Sequence, residues 1–366
     1  MIRRIFHSVD TPLLYVTLAL ILGGLLILAS ASMVLSQKHY GTSTYYVVHQ
    51  VFYAGTLGIL GFLAGISVHY RFWRRLALPL MVLSLVLLAL LFLPQLGIAS
   101  GGATRWLDIG PISFQPSELL KFSFVVYLAS WLDSKREKIR SISHGLIPFA
   151  VMMAVVGMFL LMQPDIGTLG VMVATAGLLY FVGGGRVAQI AGLAVFALVI
   201  LYFVVQAAPY RLERIRTFLD PARDPQGMGY QINQALIAIG SGGFFGRGFG
   251  QSVQKYNYLP EPMGDSVFAV FAEEMGFLGA LVLILLFAFF LFRGFVVAKH
   301  APDVFGKLLA AGIVMYLMTQ AFVNMAAISG LLPLTGIPLP FVSYGGTALA
   351  VNMLSVGVLL NISKHT

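Results

Sequence analysis

The chain has 366 residues, 58% of them hydrophobic and only 10% charged, with a net charge of +9 and a mean hydropathy of +0.88. Soluble domains carry about 25% charged residues, so a water-soluble fold is excluded and the solvent for most of this chain is a bilayer. It has no cysteine, which excludes disulfides, thiol nucleophiles and cysteine-based zinc sites, and its seven histidines show no metal-binding spacing.

The sequence opens MIRRIF and enters an apolar run near Leu13. That run is too long for a signal-peptide core and lacks a small-residue cleavage site, so it reads as a retained first span. A span needs roughly 20 mostly apolar residues. Ten segments qualify: 13–35, 46–68, 76–96, 118–132, 145–162, 168–184, 187–208, 266–292, 308–328 and 343–361. The expected fold is an all-α integral membrane protein, one polytopic domain over residues 1–366. With the N-terminus inside, fourteen Lys and Arg fall on inner segments (Arg3, Arg4, Arg71, Arg74, Arg75, Lys135, Arg136, Lys138, Arg140, Arg186, Arg293, Lys299, Lys307, Lys364). The short outer loops hold only Lys38 and Arg105. Short-loop positive charge marks the cytoplasmic side, so both termini are expected in the cytoplasm. The basic residues are therefore mostly topological, and nucleic acid is not an expected partner.

Four outward-facing stretches carry unexpected polar residues. The first is GGATRWLDIGPISFQPSELLKF, residues 101–122. Arg105 there suits an anionic group or an ion pair with Asp108. Glu118 and Lys121 lie at i and i+3, so they can pair on one helical face; equally, Lys121 can reach a phosphate. The second is Asp165 in the short turn QPDIGT. The third is the long outer loop 209–265. Within it, RLERIRTFL (211–219) and QINQALIAI (231–239) pattern as amphipathic helices lying in the interface, and a glycine-rich stretch follows. The loop reads as folding back on the membrane, either as an inert cap or as the lining of a site.

The loop ends at Asp265, at the mouth of an apolar segment. That aspartate reads equally as a helix N-cap and as a carboxylate facing a water-filled cavity. Glu273 and Glu274 lie about 12 Å deeper at 1.5 Å per residue and are assigned mainly to structure. The fourth stretch is LLPLTGIPLPFVSYGGTALA, residues 331–350, which includes Ser343. Broken apolar sequence of this kind lines a cavity. Acids beside bases, a basic loop and apolar walls suit a substrate with a lipid tail and a phosphate-bearing head.

These stretches, with QPDIGTLGVMVATA, GYQINQALIAIGSGGFFGRGFGQSVQKYNYLPEPMGDSVFAVFAEEMGFLGA and LLPLTGIPLPFVSYGGTALAVNMLSVGVLLNIS, resemble the SEDS family of FtsW, RodA and SpoVE proteins, on its FtsW side. They follow the family's order and cover about a third of the chain. The resemblance implies a bacterial peptidoglycan glycosyltransferase of the cytoplasmic membrane. Its active site faces outward and polymerises lipid II, which is both donor and acceptor, during division or elongation. It implies a class B penicillin-binding protein (a transpeptidase) as partner, with other division or elongation proteins and membrane lipids around it.

The family's essential aspartate matches Asp265, the arginine of its RW pair matches Arg105, and its lysine early in span four matches Lys121. Glu118, Asp165, Lys255 and Ser343 complete the candidate substrate-binding set. Met263, Gly264 and Ser266 depart from the His, Thr and Phe usual around that aspartate. The resemblance leaves room for a divalent cation, Mg or Mn, whose ligands the sequence does not identify; no nucleotide, haem or other organic cofactor is expected. A lipid-precursor flippase and a non-enzymatic division scaffold are the competing readings.

Overall fold

The computed structural model describes residues 9–93, 96–100, 103–109, 112–206, 209–224 and 226–366; Arg3 and Arg4 of the charge count lie outside them. Helix α1 (Thr11–Tyr40) starts at Asp10, whose carboxylate accepts the Leu13 amide, and stops at Gly41 in the left-handed region (φ 70). Helix α2 (Tyr45–Ser67) widens into a π-helical stretch at Gln50–Gly55. Then come α3 (Tyr70–Leu90), α4 (Pro116–Ser134), α5 (Ile142–Met162), α6 (Ile166–Val182) and α7 (Val187–Gln206). The loop helices α8 (Pro209–Leu219) and α9 (Met228–Ser241) precede α10 (Val267–His300), α11 (Val304–Ile328) and α12 (Gly346–Ser363).

Among the described residues each apolar segment anticipated from the sequence overlaps a helix, and eight helices are long and apolar enough to cross a membrane. Helix α6 is shorter, and α4 carries Glu118, Lys121 and Asp133. The sequence reading gave no strands, but the residues before α4 form a small antiparallel sheet in the order β1 (Gly97–Ser100), β2 (Ala103–Ile109), β3 (Ile112–Phe114).

Helices α11 and α12 form the hub, with 72% of their apolar windows buried, whereas only 6% of α7's is. Small residues let α12 approach α2 closely. A Cβ added at Gly65 would meet the Leu354 carbonyl, and one at Gly357 would overlap the Phe62 carbonyl. Lipid gives no hydrophobic drive between helices, so such backbone-close packing supplies the attraction instead.

Helix α10 is broken at Gly276 (φ 64, ψ −165). The glycine-rich turn after α9 inserts there: the amides of Arg247 and Gly248 donate to the carbonyls of Glu273 and Glu274 at 3.0 Å, and Phe277 N donates to Gly243 O at 2.9 Å. A Cβ at Gly276 would overlap the Gly246 amide, so glycine is needed here both for its φ and for its size. The break thus pins the loop 209–265 to the end of the bundle at which α10 begins.

Candidate active site

Asp265 sits in the turn Glu261–Ser266, where the amides of Gly264 and Ser266 donate to the Glu261 carbonyl at 3.0 and 3.2 Å. Ser266 is the N-cap of α10 and no side chain caps that helix. The capping reading of Asp265 is therefore set aside. Its carboxylate accepts instead from Gln231 Nε2, at 3.3 and 3.4 Å to its two oxygens, and from Ser266 Oγ at 3.4 Å. It is half-buried and borders a narrow recess lined also by Asn324, Ile328, Leu334, Thr335 and Gly336. Desolvation raises its pKa from 3.8 to about 6. The Glu261 charge adds to the rise, and the Gln231 and Ser266 hydrogen bonds oppose it.

The end of the loop, the broken segment and the start of α6 pack together at this recess, and β2 is tied to them through Arg105. The broken segment 331–345 forms its wall, and Ser343 Oγ donates to Gly264 O at 2.7 Å while Tyr344 N donates to Met263 O at 2.9 Å. The start of α6 packs on the same segment, since a Cβ at Gly167 would meet Thr335 O and Ile337 Cγ2. Arg105 on β2 donates to the carbonyl of Pro164, next to Asp165, and its Nε is buried without a partner. On the far side of Tyr344, its hydroxyl meets His49 Nδ1 at 3.0 Å. His49 lines a groove of about 670 Å³ with Tyr45, Val48, Phe52 and Tyr53.

Five residues of the substrate-binding set read from the sequence are engaged by protein partners in this structure. Lys255 is fully buried, and its ammonium donates to Ser30 Oγ, Gly250 O and Glu274 Oε1 at 2.7–2.8 Å. An ammonium has three donors, so none is left for a pyrophosphate. Lys121 is buried between Glu118 Oε1, at 2.9 Å, and Gln320 of α11, so neither Lys121 nor Glu118 faces the recess as a free charge. Asp165 is the N-cap of α6, accepting the Thr168 amide at 3.2 Å. Ser343 is used internally, accepting the Leu339 amide at 2.8 Å as well as donating to Gly264.

Glu273 and Glu274 are structural, as expected. Glu273 accepts from Ser252 Oγ at 2.6 Å and from the amides of Val253 and Gln254. Glu274 accepts from Ser30 Oγ and Lys255. Their partners come from the loop itself and from α1, which fastens the loop to α10.

Three polar residues at the site escaped the sequence reading: Gln231, Gln320 and Asn324. The signal for the last two was an amide pair at i and i+4 inside an otherwise apolar span. Among the described residues no three His, Asp or Glu side chains converge on a metal position. Glu261 and Asp265 alone make no cage, so a dedicated ligand set for Mg or Mn is not found among the described residues.

A family model described as cell cycle protein, FtsW/RodA/SpoVE, matches residues 11–366. Stage V sporulation protein E of Bacillus subtilis is 39% identical over 98% of both chains. A probable peptidoglycan glycosyltransferase FtsW of Geobacter sulfurreducens is 41% identical over 97% of this chain and 95% of its own. Among solved structures, a chain from work on structural coordination of polymerization and crosslinking by a peptidoglycan synthase complex superposes with a TM-score of 0.81, at 31% identity over 97% of this chain and 98% of that one. The rod shape determining protein RodA of Thermus thermophilus superposes with a TM-score of 0.71, at 29% identity over 98% of this chain and 97% of its own.

Proposed function

This chain belongs to the FtsW/RodA/SpoVE family as a multi-pass membrane protein, and we propose that it is a peptidoglycan glycosyltransferase that polymerises lipid II with Asp265 as general base. The observation that carries the base assignment is that the Asp265 carboxylate caps nothing, borders a recess and has a pKa lifted to about 6. A base works best when its pKa lies near the operating pH. The side-chain donors on it, Gln231 and Ser266, are long bonds that an acceptor hydroxyl can replace.

The reaction then runs as a single displacement. The 4-hydroxyl of the acceptor's terminal GlcNAc gives its proton to Asp265 as its oxygen bonds to C1 of the donor's MurNAc. The C1–phosphate bond breaks, undecaprenyl pyrophosphate leaves with the electron pair, and the anomeric centre inverts from α to β. The departing pyrophosphate needs a cation. Arg105 is the candidate, because its Nε is buried without a partner, whereas all three donors of Lys255 are taken. No step passes through a metal.

The recess beside Asp265 is too narrow in this structure to admit even a water molecule, whereas a sugar needs a pocket of several hundred Å³, about 300 or more. The sugar-binding conformation is therefore more open than this one. The aromatic groove beside Tyr344 suits an isoprenoid chain. We place the recess on the outer face and both termini in the cytoplasm from the distribution of Lys and Arg. The likeness to a chain of a peptidoglycan synthase complex supports a class B penicillin-binding protein as partner. The test is polymerisation of lipid II by the purified protein, alone and with that partner: glycan strands support an enzyme, and none under either condition favours a flippase or a scaffold.

A further inference from the structure

Helix α11 buries two carboxamides, Gln320 and Asn324, four residues apart and so on one helical face. Both reach the broken segment. Gln320 Nε2 donates to Pro338 O at 2.9 Å, and Asn324 Nδ2 donates to Ile337 O at 2.8 Å. The same Asn324 nitrogen donates to the main-chain carbonyl of Asp265 at 2.9 Å. A carboxamide NH₂ carries two hydrogens, and each is used, one on the wall of the recess and one on the residue that faces it. Gln320 also accepts from Lys121, which pairs with Glu118. The buried ion pair of α4 thus continues into the clamp through one amide.

We infer that Asn324 is a positioning residue, fixing the Asp265 main chain against the Ile337–Pro338 wall so that the carboxylate faces the recess; this rests on reading Asp265 as the base. The chain needs such a device because Asp265 lies in a turn, ahead of the first helical residue of α10, where no helical ladder holds it. The side chains that hold its carboxylate do so through long bonds, so the direction of the side chain depends on where the backbone is pinned. A displacement of about 1 Å at a reacting group is worth about 10²-fold in rate.

The experiment compares wild type, Asn324→Ala and Asn324→Ser in lipid II polymerisation, on the full chain and with its partner where activity needs one, with the folded fraction measured in parallel. The expected result for Asn324→Ala is a kcat lowered about 10- to 100-fold, with KM for lipid II and the folded fraction close to wild type. Asn324→Ser, which keeps one donor, should fall between. A kcat within about twofold of wild type, or a loss that only tracks the folded fraction, overturns the inference. If Asn324→Ala does not fold, Asn324→Ser alone decides by the same criteria. Asp265→Asn run alongside separates the two readings. If it keeps full activity, the base assignment fails; if it is dead while Asn324→Ala is fully active, only the positioning role fails.

Discussion

Gln231, on the loop helix α9, holds both carboxylate oxygens of Asp265 with one amide nitrogen, at 3.3 and 3.4 Å. The loop therefore touches the candidate base itself, and the contact favours the ionised form. Gln231→Leu removes it, so the pKa of Asp265 must rise further. The rising limb of the kcat/KM profile against pH should move to higher pH, by about half a unit to one unit for bonds this long. A profile that does not move, or moves to lower pH, contradicts the role of Gln231.

Stability should also depend on Asp265. Its pKa is about 6 folded, raised from 3.8, so the folded state holds the proton more tightly than the unfolded chain. Its cost to stability is absent below about pH 4, grows through the interval up to 6 and is complete above it. The shift is worth at most about 3 kcal/mol. Asp265→Asn should therefore melt higher than wild type at pH 8 and equally at pH 4. The measurement is thermal unfolding in detergent across that range; equal melting at every pH argues against the burial described here.

Lys255→Met tests whether that residue is structural or binds phosphate. It leaves the Glu274 carboxylate buried without its ion-pair partner, and breaking a buried pair from one side costs about 3–5 kcal/mol. The expected result is a large loss of thermal stability, partly restored by adding Glu274→Leu, with KM for lipid II unchanged in whatever protein folds. A well-folded Lys255→Met with a raised KM would return Lys255 to the phosphate site.

Much of this architecture was legible in the sequence, because a span is a local property: roughly 20 apolar residues announce themselves wherever they sit. Asp265 was visible for the same reason, as an acid at the edge of such a run, though its capping alternative fell only to geometry. What stayed hidden was pairing across the chain. Lys121 meets Gln320, and Ser30 meets Glu274, at separations of 199 and 244 residues. No local pattern tells an engaged lysine from a free one, so Lys121 and Lys255 read as phosphate ligands. The strands β1–β3 were missed because they are short and their apolar residues show no sustained alternation.

Orientation is open to a direct labelling test, since the chain has no native cysteine. Ser252 is a poor reporter, being buried against Glu273, whereas Tyr256 is 52% exposed. Tyr256→Cys should react with an impermeant thiol reagent in intact cells. Ser134→Cys, at the opposite end of the bundle, should react only after permeabilisation. The reverse pattern would put the recess on the cytoplasmic side and exclude lipid II polymerisation at the outer face.

The central claim is that Asp265 takes the proton of the acceptor hydroxyl, and Asp265→Asn tests it most directly. Asparagine keeps the size of the side chain and one acceptor oxygen for Gln231, but it cannot accept a proton at neutral pH. The measurement is the rate of glycan-strand formation from lipid II by the purified protein, with its partner if needed, beside thermal unfolding of the same samples. Loss of a general base is worth about 10²–10⁴ in rate. A fall of that size in protein that remains folded is the predicted result, and an Asp265→Asn protein that still makes long glycan strands at the wild-type rate would contradict it.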